Sequence, residues 1–192
     1  MNSLKFLLQY ITKPRTVGAV LPSSRYLARK MAMCVDFDKA THIVEYGPGT
    51  GVFTDEILRS LRPDAKLLLL ERNEDFARAL GAKYEGAKNV TVVNDSAERA
   101  QKHLRMHSFP HADYVLSGLP FASLPKETSE NILRQTVEIL APGGKFVTFQ
   151  YSLLRKDFIT RHFGEVSIAR EFRNVPPAYV LCCEKADISP GA

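Results

Sequence analysis

Cysteine is scarce in this chain: three residues in 192, two of them adjacent at Cys182 and Cys183. Such a set builds no disulfide framework and has no metal-ligand spacing, so a reducing, cytosolic setting and no structural metal are expected. Long apolar runs are missing as well; nothing approaches the roughly 18 residues that span a bilayer. The short apolar stretch at the start is broken by Gln9 and followed by Lys13-Pro14-Arg15, with no small-residue cleavage site, which is not the pattern of a signal peptide. Acid is absent from residues 1–35, which hold Lys5, Lys13, Arg15, Arg25, Arg29 and Lys30; with +5 for the whole chain, the remainder carries −1. The basic character is therefore local, and a local patch of one sign fits an anionic partner, either a membrane surface or a nucleic acid. Repeats, linkers and low-complexity tracts are also missing.

What is present is a globular composition, 45% hydrophobic and 24% charged, at a length that suits one domain with a full core. Strand and helix signals alternate. Short apolar strands are expected over 41–46, 66–70, 89–93, 113–116 and 145–150. Helices are expected over 52–61, from the Asn73 cap to about Leu80, over 97–107 and over 128–140, the last closed by Ala141-Pro142-Gly143-Gly144. Two further alternating segments, 165–172 and 179–184, are separated only by the turn-like 173–177 and should pair antiparallel. The result is an α/β fold with a mostly parallel sheet covered by helices. Two helical pieces precede it. Leu4, Leu7, Leu8 and Ile11 share one face of a helix over 3–11 that Pro14 should stop. A second helix starts after Ser23-Ser24 and runs to about Cys34. The expected organisation is a basic amphipathic segment, 1–35, ahead of a core over 36–192.

The first core strand ends in Gly47-Pro48-Gly49-Thr50-Gly51, with a helix behind it. Glycines at such a turn let a ligand approach the backbone, and the helix N-terminus offers free N–H groups. A dinucleotide loop has the spacing G-x-G-x-x-G; here the third glycine arrives one residue early and Val52 takes its site. Glu71 ends the second strand, where a carboxylate can accept from both hydroxyls of a ribose. Asp95-Ser96 follows the third strand and Gly118 ends the fourth.

The segment Glu45 to Gly51 resembles motif I of the class I S-adenosylmethionine-dependent methyltransferases, a Rossmann-like fold. The resemblance implies a seven-stranded sheet whose last strand runs antiparallel, with S-adenosylmethionine as cofactor. It also implies a cofactor site of Glu45, Gly47, Gly49, Gly51, Glu71, Arg72, Asp95, Ser96 and Gly118. RNA adenine-N6 methyltransferases place Asn or Asp where this chain has Gly118, and that side chain accepts from the amine of a flipped adenine. Here Leu119-Pro120-Phe121 is kept and the acceptor is lost, which opens space for a tetrahedral amine; Phe121 serves either that pocket or plain packing.

Across nearly its whole length the chain is similar to the bacterial phospholipid N-methyltransferases. The similarity rests on residues 13–24, Glu45 to Gly51, Ser117-Gly118-Leu119-Pro120 and Arg173-Asn174-Val175-Pro176-Pro177-Ala178, with a departure at Val180-Leu181, where some relatives carry a nearby aromatic. It implies N-methylation of an amino-phospholipid headgroup, phosphatidylethanolamine and its methylated forms, by a protein held peripherally at the inner face of the membrane. Gly118, Leu119, Pro120, Phe121 and Arg173 would face the lipid. The amine must be neutral to react, so a low-dielectric pocket and a proton acceptor are needed. Tyr151 is the candidate acceptor or a structural tyrosine; Arg173 binds the lipid phosphate or pairs with Glu171. The helix over 3–11 lies in an anionic headgroup boundary or packs on the domain. His103, His107, His111 and His162 read as surface or packing residues. No obligate protein partner is implied. Two rivals stand: an RNA adenine methyltransferase, which Gly118 disfavours, and a non-catalytic membrane-binding module of the same fold.

Overall fold

The computed structural model describes residues 24–154 and 156–186. The expected helix over 3–11 and the segment 13–23 lie outside them. The chain begins with α1 (Arg25–Ala32), then alternates β1 (His42–Tyr46), α2 (Val52–Ser60), β2 (Lys66–Leu70), α3 (Glu74–Lys83) and β3 (Val90–Val93). A 3-10 turn over Ala97–Arg99 leads into α4 (Ala100–Met106), followed by β4 (Ala112–Ser117), α5 (Lys126–Ile139) and β5 (Leu140–Gln150). The last elements are α6 (Lys156–Thr160), β6 (Val166–Glu171) and β7 (Ala178–Glu184).

The seven strands form one sheet in the order β3-β2-β1-β4-β5-β7-β6. Strands β1 to β5 run parallel, and β7 lies antiparallel between β5 and β6. This is the expected Rossmann-like methyltransferase sheet. Its central strands are buried on both faces, as a parallel sheet requires. Val44, Tyr46, Leu68 and Leu70 point to one core, with α4 and α5. Their neighbours Ile43, Leu67 and Leu69 point to the other, with α1, α2 and α3.

Helix α1 is capped by Ser24, whose side chain accepts from the Leu27 amide at 3.3 Å, and it buries Leu27, Ala28 and Met31 along one stripe. It therefore belongs to the layer that covers the sheet, and the expected division at residue 35 falls within continuous packing. Asn73 caps α3 by accepting from the Phe76 amide at 3.0 Å. Two details depart from the sequence reading. The segment 141–144 does not end the helix ahead of the strand; it is looped out within β5, where Ala112 pairs with Leu140 and Tyr114 with Lys145. Helix α6 is absent from the sequence reading, because five residues are too few to carry a periodic signal.

Candidate functional site

The carboxyl ends of the parallel strands meet along one edge of the sheet, the place where open α/β sheets hold ligands. The glycine loop leaves β1 there with Gly47, Gly49 and Gly51 at φ of +61°, +56° and +83°, all left-handed. A Cβ at Gly51 would lie 2.5 Å from the Tyr84 hydroxyl and one at Gly47 would lie 2.7 Å from a Leu119 methyl, so the loop needs glycine on both counts. Nothing crowds Gly49. The Tyr84 hydroxyl donates to Asp55 at 2.8 Å and reaches the Gly51 carbonyl at 3.3 Å, pinning the loop to the first turn of α2.

Behind the loop sits Glu45, fully buried. Its Oε2 accepts from the Thr54 hydroxyl at 2.7 Å, and its Oε1 has no hydrogen-bond partner. Burial pushes this carboxyl up to about 8, against the smaller opposing effect of the Thr54 bond. At the end of β2, Glu71 accepts from the Gly49 amide at 3.0 Å through one oxygen and from the Asn73 amide at 2.8 Å through the other. Its carboxylate is thus aimed by two backbone N–H groups while each oxygen keeps a lone pair for a ligand.

At the end of β3, Asn94 ties the two strand ends together by donating to the Glu71 and Arg72 carbonyls at 2.9 and 3.2 Å. Arg72, Asn94, Asp95, Ser96, Glu98 and Arg99 line a cleft at this corner. Asp95 is set by the buried His103, whose Nε2 lies 2.8 Å from Oδ2, and by the Ser96 amide at 2.7 Å. The His103 bond is the main reason the Asp95 carboxyl falls to about 2. Ser96 caps the 3-10 turn by accepting from the Glu98 amide. The sequence alone reads His103 as a surface or packing residue. Its role is invisible there because the partner is eight positions away, across a turn and a helix start.

On the other side of the loop, Gly118 follows β4 and donates its amide to the Tyr46 carbonyl at 2.9 Å. A Cβ on Gly118 would lie 2.8 Å from the Gly47 carbonyl oxygen. Leu119 and Pro120 are half-buried beside it, and Phe121 is buried in the core that Leu119 also packs against, edge-on to Phe146. Packing, one of the two roles left open for Phe121, is the one seen. Tyr151 follows β5 on the same edge, half-exposed, its ring edge-on to Phe149 at 5.6 Å. Arg173 is paired: its Nε and one terminal nitrogen bond Glu171 at 2.9 and 3.1 Å, and the guanidinium lies 4.5 Å from the Tyr26 ring centre. That pairing, the alternative left open by the sequence, is the one formed. Asn174, also buried, accepts from the Ser24 amide at 3.1 Å and donates to the Pro176 carbonyl at 2.8 Å, so it latches the start of α1 to this edge.

At the far edge, His42, His111 and Asp113 bring ligand-capable atoms within 4.8 Å of one another, a grouping the sequence does not announce. One Asp113 oxygen already accepts from the Thr41 and His42 amides and the Thr41 hydroxyl, at 2.8 to 2.9 Å. Cys34, Cys182 and Cys183 are all free thiols. Among the described residues no helix is long and apolar enough to cross a membrane.

Comparisons with known proteins agree with this geometry. A family model for ribosomal RNA adenine dimethylase matches residues 9–172. The chain is 33% identical over 179 residues to an ornithine lipid N-methyltransferase of Singulisphaera acidiphila, covering 93% of each chain. It is 23% identical to ribosomal RNA small subunit methyltransferase A of Streptococcus equi subsp. zooepidemicus, covering 84% of this chain but only 55% of that protein. Among solved structures, the N-methyltransferase NodS of Bradyrhizobium japonicum in complex with S-adenosyl-L-homocysteine superposes with a TM-score of 0.66 at 12% identity, over 97% of this chain and all of that one.

Proposed function

The chain belongs to the ribosomal RNA adenine dimethylase family and is an S-adenosylmethionine-dependent N-methyltransferase, and from that premise we propose that it methylates the amine of a membrane amino lipid. The single observation that carries this reading is Gly118. With the Gly47 carbonyl 2.8 Å from where its Cβ would stand, the position has no room for the Asn or Asp that accepts from a flipped adenine. The relative from Singulisphaera acidiphila, named for an ornithine lipid, supports the lipid class over nucleic acid. It also puts ornithine-type headgroups ahead of phosphatidylethanolamine, which the sequence alone favours.

S-adenosylmethionine supplies, when bound, a methyl group on a cationic sulfur that is already activated for transfer. The residues present fit it. Glu45 offers a buried oxygen without a partner toward an ammonium. Gly47, Gly49 and Gly51 leave the backbone open to its amino-acid end. Glu71 has two aimed oxygens for a ribose diol, and the cleft of Arg72, Asp95 and Ser96 suits a flat ring with an exocyclic amine. On the acceptor side, the half-buried Gly118, Leu119 and Pro120 would give an alkylamine, whose ordinary pKa is near ~10, low-dielectric surroundings that favour its neutral form. The Tyr151 phenol takes or orients the departing proton. Lys5, Lys13, Arg15 and Arg25, in the basic segment over residues 1–35, would meet an anionic membrane surface, at the inner face of the membrane.

A second reading, adenine methylation in RNA, is favoured by the family model and by the ribosomal relatives, although the chain spans about half the length of the latter. Methyl transfer from labelled S-adenosylmethionine to vesicles containing ornithine lipid or phosphatidylethanolamine, run beside total RNA, separates the two. Label in either lipid is expected; label in RNA alone would overturn the proposal.

A further inference from the structure

Of the seven exposed large apolar side chains among the described residues, four, Tyr151, Leu154, Phe172 and Val175, sit on two neighbouring loops. Leu154 is 95% exposed, Phe172 68% and Val175 55%. The loop over 151–154 leaves β5 just beyond Gln150, which pairs with Tyr179 of β7. The loop over 172–177 joins β6 to β7 where Glu171 pairs with Ala178. Both loops therefore stand on the same edge of the sheet as Gly118, on the β5-β7-β6 side of it. The cofactor-side groups, Glu71 and Asp95, lie on the other side, beyond β1.

Charge accompanies the apolar tips. Arg170 lies over Phe172 at 4.7 Å and over Tyr179 at 5.2 Å, and Arg25, exposed at the start of α1, lies over Tyr26 at 5.3 Å. The acid within the 170–178 stretch, Glu171, is consumed by Arg173. The acids that flank this stretch in sequence, Glu165 and Glu184, stand at the other ends of β6 and β7, and Asp157 lies beyond the 151–154 loop on α6. The Asn174 latch to the Ser24 amide brings the start of α1 to this edge. Exposed aliphatic and aromatic tips with arginines on the same edge suit a headgroup boundary, where apolar groups enter the acyl region and cations meet phosphates.

We propose that the loops over 151–154 and 172–177 form a membrane-docking rim, seating the acceptor side of the catalytic edge on an anionic bilayer with Leu154, Phe172 and Val175 inserted and Arg25 and Arg170 against lipid phosphates. The proposal rests on the amino-lipid reading for its purpose, but its binding is independent of the substrate. It adds a contact surface within the described fold to that of the basic segment, and it orients the acceptor opening toward the lipid.

The chain has no tryptophan, so Phe172→Trp in the full-length protein gives a single reporter. Vesicles of phosphatidylcholine and phosphatidylglycerol, free of amino lipid, should shift its emission to the blue, and brominated acyl chains should quench it. Met106→Trp, at the opposite edge ahead of β4, should show neither effect. The triple variant L154S/F172S/V175S should lose at least about tenfold in vesicle partition. It should keep its thermal shift with S-adenosylmethionine and its activity on amino lipid in detergent micelles. Unshifted emission from the Phe172→Trp protein, or a folded triple variant that partitions like wild type, would overturn the rim. Insertion of the indole reporter without methylation of any amino lipid would leave the rim standing and remove the amino-lipid reading instead.

Discussion

Glu45 is a carboxyl group sealed into the sheet with one oxygen served by Thr54 and the other by nothing. Its pKa of about 8 in the folded protein exceeds the ordinary value of about 4.3, so between these limits the folded state holds the extra proton. Stability of the cofactor-free protein from this group is therefore greatest below about pH 4.3, falls as pH rises and levels off above about pH 8. Glu45→Gln removes the titration, and urea melts across this range should show a flatter pH profile, by roughly a few kcal/mol between its ends. The same scale shows where sequence stops being legible. Glu45, Glu71 and Asp95 can be picked out because each ends a strand beside glycines or a loop. Their aim, by Thr54, the Gly49 amide and His103, depends on side chains folded in from elsewhere. Phe121 and Arg173 each leave two readings open for a related reason: an aromatic after a proline and an arginine in a turn look alike whether they face a ligand, a core or a neighbouring acid.

At the scale of elements, the strands are readable to within a few residues, because short apolar runs bounded by glycine or acid have few other ways to fold. The antiparallel placement of β7 follows from a connection too short for a helix. The looped-out 141–144 stretch is not readable, since a Pro-Gly-Gly turn and a bulge within a strand share the same residues. The turns after β1 and β4 meet closely, since a Cβ on Gly118 would stand 2.8 Å from the Gly47 carbonyl oxygen. Gly118→Ala should therefore push the two turns apart. Steady-state kinetics should show at least about a tenfold loss of methyl transfer, in line with the roughly 1–3 kcal/mol cost of overpacking, while circular dichroism stays that of the folded protein.

For the molecule as a whole, one sheet with two buried faces holds every proposed cofactor-binding group along a single edge, so a ligand bridging β1, β2 and β3 should stabilise the entire domain. S-adenosylmethionine at about a hundred times its Kd should add about 2.7 kcal/mol, a rise in Tm of roughly 5–10 °C for a chain of this size, readable by scanning fluorimetry. Glu71→Ala should abolish most of that rise and leave the ligand-free Tm less affected. The two ends of the described chain also part company. Ser24 is latched to Asn174 at the catalytic edge, whereas Lys185 donates its amide to the Gly144 carbonyl at the other end of β5. A fluorophore attached at the exposed position 186 would thus stand behind the proposed methyl-transfer face, while one attached at the exposed position 25 would stand beside it.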